Sequence, residues 1–345
     1  MATEKKFYTG EKLKERFPKE ATARDVQLHP YFPDEDLVKA VNIAIMLERP
    51  LLVMGEPGCG KSLLAHALAF ELYQGEEINS VAQNYKDWLF EWNIKSTSKA
   101  KEGFYEYEAL SRLLDVQMAV SSKVAKLKAG DTNNYIKKRA MANAITKSTE
   151  THRAILLIDE IDKADPDFPN DLLNELESGK HVVTETGKPI VENPKKPIII
   201  ITSNREKDLP DAFLRRCVYY FIPPFNYGRM VNILKYRFYE VSKLEIDADS
   251  SLLIDKAVEA YEKARKRIED NKTSSKKISM SELIDWFQAI KKTTELSGNT
   301  PKVADFVKEI QEFIDDKQKF LPLQQALFKN YEMAKIFEKE VKTDK

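Results

Sequence analysis

Hydrophobic residues recur along this chain in two rhythms, and the change from one to the other divides it. From 34 to 48, Leu37, Val38, Val41, Ala44 and Ile45 fall on one helical stripe, which Ile43 and Leu47 widen, so a largely buried helix is predicted. Asp34 stands at the N-cap position, Glu35 and Asp36 suit the first turn, and Arg49-Pro50 ends the pattern. Short, continuous apolar runs then follow at 51–54, 89–94, 154–158, 197–202 and 218–222. Runs of this kind read as strands buried on both faces. They are mostly separated by helical stretches, of which 62–72 is the clearest, so the pattern predicts an α/β fold with a parallel sheet and helices on both faces. A hairpin is predicted where β-formers at 181–185 and 189–191 flank Thr186-Gly187-Lys188.

After Pro223-Pro224 the strand rhythm stops. Helical patterns occupy 227–242, 250–269, 279–294 and 302–338, the last broken at Pro322, and predict an all-α domain. Residues 1–33 are polar and read as a linker. The expected organisation is therefore a 1–33 N-terminal linker, a 34–224 α/β domain and a 225–345 helical domain.

Composition narrows the function classes. The 55 basic and 55 acidic side chains cancel, so no global field holds a nucleic acid or an anionic membrane. Cys59 and Cys217 lie far apart and outside any CxxC pattern, which supports neither a disulfide framework nor a zinc knuckle. His29, His66, His152 and His181 are scattered, leaving metal-hydrolase chemistry without its ligands. The amino terminus lacks the apolar core of a secretion signal, and no apolar run approaches the length of a membrane span. A soluble, cytoplasmic protein with no membrane contact is expected.

One segment carries recognisable chemistry. Gly55-Glu56-Pro57-Gly58-Cys59-Gly60-Lys61-Ser62, followed by Leu63, satisfies GxxxxGK[ST] and sits between a strand and a helix N-terminus. Glycines there let backbone N–H groups wrap a phosphate, and the helix dipole adds partial positive charge. Lys61 reaches the β- and γ-phosphates, and Ser62 ligates magnesium. Downstream, the apolar run 155–158 ends in Asp159-Glu160. In nucleoside triphosphatases of this kind the first acid helps hold Mg2+ and the second orients or deprotonates the attacking water. ATP and Mg2+ are thus the expected ligands.

These two motifs, the run Ile198-Ile199-Ile200-Ile201-Thr202-Ser203-Asn204 and Leu209-Pro210-Asp211-Ala212-Phe213-Leu214-Arg215-Arg216-Cys217 occur in the order seen in AAA+ ATPases, which the chain resembles over roughly residues 30–340. More specifically it resembles the MoxR group of the helix 2 insert clade. The phrases Glu91-Trp92-Asn93-Ile94-Lys95-Ser96-Thr97, Phe168-Pro169-Asn170-Asp171-Leu172-Leu173-Asn174-Glu175-Leu176 and Thr184-Glu185-Thr186-Gly187 carry that likeness. The resemblance implies a P-loop AAA+ core followed by an all-α lid. It implies that Asn204 is sensor 1, placing the lytic water with Glu160, and that Arg216, or else Arg215, is an arginine finger inserted into a neighbour's site. A homo-oligomeric ring, expected as a hexamer, follows by resemblance, as does a chaperone-like role on a protein target recruited through a separate von Willebrand factor A domain protein. One departure stands out: the stretch Lys277-Ile278-Ser279-Met280-Ser281-Glu282-Leu283 has no arginine where many relatives carry sensor 2.

Two further stretches have competing readings. Phe104, Tyr105 and Tyr107 lie where such rings place a pore loop that grips polypeptide, or else Phe104 and Tyr107 pack a helix on the sheet. Lys123, Lys126, Lys128, Lys137, Lys138 and Arg139 form a dense basic stretch within what resembles the helix 2 insert, either a solvated face or a contact for an acidic protein surface or nucleic acid. The region 263–277 is also basic and is expected to include a solvated loop. The rivals to the remodelling ATPase are a nucleic-acid-stimulated motor, which zero net charge disfavours, a P-loop kinase, and a slow ATP switch.

Overall fold

The computed structural model describes residues 7–11, 31–78, 81–118, 131–178, 182–191, 195–240, 246–270, 277–296, 302–316, 319–329 and 333–337. They group into two compact units. The first holds 7–11, 31–55 and the described part of 60–222; the second holds 223–337 together with the loop tip Glu56–Cys59.

Five parallel strands build the first unit: β1 (Leu51–Met54), β2 (Leu89–Asn93), β5 (Ile155–Asp159), β6 (Ile198–Ser203) and β7 (Val218–Phe221), in the order β2-β5-β6-β1-β7. Between β2 and β5 in sequence lies a separate antiparallel ribbon, β3 (Tyr105–Tyr107) with β4 (Ile136–Lys138), which the sequence pattern does not announce. Register is set by pairs such as Leu51 with Ile200 and Leu157 with Ile200. Successive strand side chains point to opposite faces, yet all four residues of β1 and Ile155 through Ile158 are buried. Both faces of the sheet centre are therefore covered, as the unbroken apolar runs require. The strands match the expected runs to within a residue; β6 begins only after Pro197, whose nitrogen carries no hydrogen for a ladder.

Helix α1 (Glu35–Leu47) is capped by Asp34, whose Oδ1 accepts the Leu37 N–H at 2.8 Å and the Tyr220 hydroxyl. It packs on β1 and β7 through Leu37, Ala40, Val41, Ala44 and Ile45. The wider stripe expected from sequence is not used: Ile43 and Leu47 are 41% and 56% exposed, because one face suffices to cover the sheet edge. Helix α2 (Lys61–Tyr73) is different, with every residue from Leu64 to Tyr73 buried, including His66 and Glu71. Helices α3 (Ala109–Met118), α4 (Ala140–Lys147), α5 (Phe168–Ser178) and α6 (Asp211–Leu214) complete the unit, and α4 packs on β2 and β5.

The expected linker departs from expectation at its start. Tyr8 is buried, its backbone exchanging two hydrogen bonds with the Asn42 carboxamide, and Thr9 and Gly10 donate to the buried Glu71 carboxylate. A carboxylate withdrawn from water needs such donors, and the polar residues that look like linker supply them. The expected hairpin is reduced to a single antiparallel bridge, Val182 with Pro189, plus the Val183 N–H donated to Lys188 O.

The second unit is helical: α7 (Tyr227–Lys235), extended by a π-helical turn at Tyr236–Glu240, then α8 (Ala248–Asp270), α9 (Met280–Glu295) and α10 (Val303–Asp315). Its core gathers Trp286, Phe287, Phe313 and Phe337 with Leu283 and Ile290. Of the pattern expected over 302–338, α10 ends at Asp315, before Pro322, and residues 333–337 are helical again beyond it; the Pro322 carbonyl accepts the Trp286 indole N–H at 2.7 Å. The charged stretch at 263–270 is the end of α8, and 271–276 lie outside the described residues. Among the described residues no helix is long and apolar enough to cross a membrane.

Candidate active site at the strand ends

Ligands of open parallel sheets bind beyond the carboxyl ends of the strands. There, β1, β6 and β5 lie side by side and deliver Gly55, Thr202 and Asp159 to one edge. The turn from β1 into α2 needs glycine: Gly60, the N-cap of α2, has φ +87°, a conformation that a side chain at that position would strain. Lys61 is buried, and its ammonium donates to Gly55 O at 2.9 Å across the mouth of the loop.

Next to it, two hydroxyls converge on one carboxylate oxygen. Asp159 Oδ1 accepts the Ser62 hydroxyl at 2.7 Å and the Thr202 hydroxyl at 2.5 Å, and Thr202 Oγ1 accepts the Glu160 N–H at 2.9 Å. That last bond holds Glu160 in the left-handed region, φ 59° and ψ 51°, so its side chain leaves the strand at an angle that an extended residue does not have. The Glu160 carboxylate is met by Asn204 Nδ2 at 3.3 Å and by the Lys163 ammonium. Bonding to Glu160 raises the Lys163 pKa above the ordinary lysine value. The sequence-derived residues Lys61, Ser62, Asp159, Glu160 and Asn204 are thus one cluster, while Leu63 lies half-buried in the first turn of α2.

The donor set suits a divalent cation carried by a nucleotide. A serine hydroxyl and an aspartate carboxylate already in contact offer hard oxygen ligands, and Mg2+ takes one or two such ligands with substrate phosphates. No group of three or more His, Cys, Asp or Glu side chains that would cage a metal by itself occurs among the described residues.

Sequence reasoning missed Thr202, Lys163 and Asp162. Thr202 is fully buried and reads as one more β-branched strand residue; Asp162 is also buried, its Oδ2 accepting the backbone N–H groups of Asn204 and Glu206 at 3.0 and 2.9 Å. It missed a further residue in the second unit, where Arg265 of α8 donates to both oxygens of Glu56 at 2.7 and 2.9 Å. Lys277, at the position without a sensor 2 arginine, is 3.1 Å from Glu269. In the same unit Gly58, at φ +72°, is approached by Ser279 and Ser281 so closely that a Cβ would not fit.

Arg215 and Arg216 are not part of the strand-end cluster. They follow α6 and line a cavity of about 360 Å3 with Pro50 and Pro197, the residues that precede β1 and β6, so they sit at the opposite end of the sheet. Arg216 donates to Asn174 Oδ1 at 3.4 Å; Arg215 is exposed.

In the aromatic stretch Phe104 and Tyr105 are buried and the Tyr105 hydroxyl donates to Glu185 at 2.8 Å, while Tyr107 is half-buried and its hydroxyl accepts from Arg112 at 2.8 Å. In the basic stretch Lys137 pairs with Glu108, Arg139 with Glu106, and Lys138 donates to Thr146; Lys123, Lys126 and Lys128 lie outside the described residues. Cys59 and Cys217 form no disulfide among the described residues, and burial pushes the Cys217 pKa up to about 12. His66 is packed against Glu91 at 3.5 Å, which holds that carboxyl below its usual range.

Residues 51–223 match the family model for the ATPase family associated with various cellular activities, AAA. The match runs from the first residue of β1, through the glycine-rich turn, Asp159-Glu160 and Asn204, to just past β7. With half of its length so matched and a five-stranded parallel sheet carrying these residues at its carboxyl edge, the chain belongs to the AAA ATPase family.

Proposed function

We propose that this protein hydrolyses ATP to ADP and phosphate in a homo-oligomeric ring, expected as a hexamer, and uses the cycle to remodel or mature a partner protein complex in the manner of MoxR-like AAA+ ATPases. The observation that carries the hydrolytic reading is the chain of hydrogen bonds from Ser62 through Asp159 and Thr202 to the Glu160 N–H, which sets a metal-ligand pair and a carboxylate base on adjacent residues.

In this reading Gly55 to Ser62 wrap the phosphates and Lys61 turns from Gly55 O to the β- and γ-phosphates. Ser62 and Asp159 hold Mg2+, which neutralises charge on the phosphate oxygens when bound. Glu160 orients a water and takes its proton as the water oxygen attacks the γ-phosphorus, and ADP leaves. Asn204, already bonded to the same carboxylate, shares the placing of that water. Arg216, or Arg215, serves a neighbour's site: both lie at the far end of the sheet from their own chain's Ser62 and Asp159, which is where a residue acting in trans belongs.

The MoxR-like role and the von Willebrand factor A domain adaptor rest on the sequence phrases given above, and the cytoplasmic location on the cysteine usage. Pairing of Lys137 and Arg139 with Glu108 and Glu106 speaks against a nucleic-acid motor, since those cations are already engaged. The kinase reading has no comparable support in this geometry.

Turnover by mixed variants tests the proposal. Glu160→Gln and Arg216→Ala are each expected to lose at least about a hundredfold in phosphate release, the usual scale for a lost general base or arginine finger. Mixed subunits are expected to regain a fraction of wild-type turnover, because each supplies what the other lacks. Silence from a mixture whose subunits demonstrably exchange would move the role to Arg215 or end the shared-site reading.

A further inference from the structure

One buried carboxylate beside the strand-end cluster takes no part in the chemistry just described. Asp162 is only 2% exposed, three residues beyond Asp159 in the short turn after β5. Its Oδ2 accepts the N–H groups of Asn204 and Glu206, while its Oδ1 is buried with no hydrogen-bond partner among the described residues. Leaving a carboxylate oxygen so is costly, and a neutral side chain would close the turn at less expense.

A carboxylate has one clear use here. Arg205, between the two bonded N–H groups, has φ +62°, and a left-handed residue in such a turn aims neighbouring N–H groups into one concavity that favours an anion. Charge-assisted bonds to that concavity are about twice as strong as neutral ones. The turns after β5 and β6 are also tied in the reverse direction, since Lys207 Nζ donates to Ala164 O at 2.9 Å and Lys163 O at 3.3 Å. What the anchored turn presents is the Asn204 carboxamide, 3.3 Å from Glu160.

We propose that Asp162 is a positioning residue: by anchoring the 204–206 turn it fixes the Asn204 carboxamide against Glu160. The inference deepens the hydrolytic reading above and rests on it. Misplacing a reacting group by about 1 Å can cost about a hundredfold in rate. Asp162→Ala is therefore expected to lower kcat for ATP by roughly tenfold to a hundredfold with KM changed less than about twofold, the signature of a lost transition-state contact.

Asp162→Asn, which keeps an acceptor oxygen but gives up the charge-assisted bonds, is expected to fall between the wild-type protein and Asp162→Ala in turnover. In an Asn204→Ala background, Asp162→Ala is expected to add less than about a twofold loss, because both changes remove one function; a general structural defect would multiply instead. Hydrogen exchange of the 204–206 amides is expected to lose protection in Asp162→Ala and to lose less of it in Asp162→Asn. Should the alanine variant not fold, Asp162→Ser, too short to reach both N–H groups, takes its place. Wild-type turnover in Asp162→Ala, or losses that multiply, would overturn the inference. If the wild-type protein itself releases no phosphate, the hydrolytic reading falls, and exchange still decides the anchor: unchanged protection rejects it, lost protection keeps it.

Discussion

The carboxyl ends of β5 and β6 and the ribbon of β3 and β4 with α3 are built from similar side chains and hold them by opposite means. At the strand ends, Thr202 is fully buried and Asp162 nearly so, and Ser62, Asp159 and Glu160 are half-buried beside them, over Ile155 to Ile158. In the ribbon, Glu106 and Glu108 meet Arg139 and Lys137 in the open, and α3 buries none of its residues, leaving Leu110, Leu113 and Leu114 exposed. Polar bonds strengthen where water is excluded and cost most when half-made there, whereas exposed ion pairs contribute little. The first arrangement fixes reacting groups; the second leaves a surface whose shape hardly depends on its charges.

The comparison can be broken by mutation. The largest effect is expected beneath the site: Leu157→Ala, in the fully buried middle of β5, should destabilise by about 2–5 kcal/mol in urea unfolding, the range for a cavity in a packed core. Next comes Thr202→Val, which keeps shape but removes the hydroxyl linking Asp159 to the Glu160 N–H. It should cost about 1–3 kcal/mol for the unpaired buried groups, and ATP turnover should fall with it. Smallest is Glu106→Gln, which breaks the pair with Arg139 and should shift stability by less than about 1 kcal/mol. An effect of the ribbon change as large as that of Thr202→Val would erase the distinction drawn between the two regions.

The sheet was legible because its signal is local. A strand buried on both faces must be apolar at consecutive positions, and β1, β2, β5, β6 and β7 all lie where such runs occur. The cluster of Lys61, Ser62, Asp159 and Glu160 was legible for a related reason, as phosphate and metal chemistry demand fixed residue types at strand ends. What could not be read are partners brought together by folding. Thr202 differs in no local way from its β-branched neighbours, and Asp162 resembles any acid in a turn until the loop after β6 folds over it. Ile43 and Leu47 show the converse error, since periodicity marks which side chains can face a core and not how wide a face the sheet will accept. The ribbon went unseen because three-residue strands carry too little pattern.

The segment from Tyr8 to Gly10 bears on how this protein is handled at the bench. It supplies three hydrogen bonds to the Glu71 carboxylate, which lies near the end of the helix that starts at Lys61. A recombinant fragment trimmed to begin at Asp34, the tidy choice from sequence, would strip those donors from an acid that water scarcely reaches. Affinity tags are better fused upstream of Phe7 with the segment kept whole, and loss of nucleotide binding in a trimmed fragment would report on Glu71 before it reported on the P-loop.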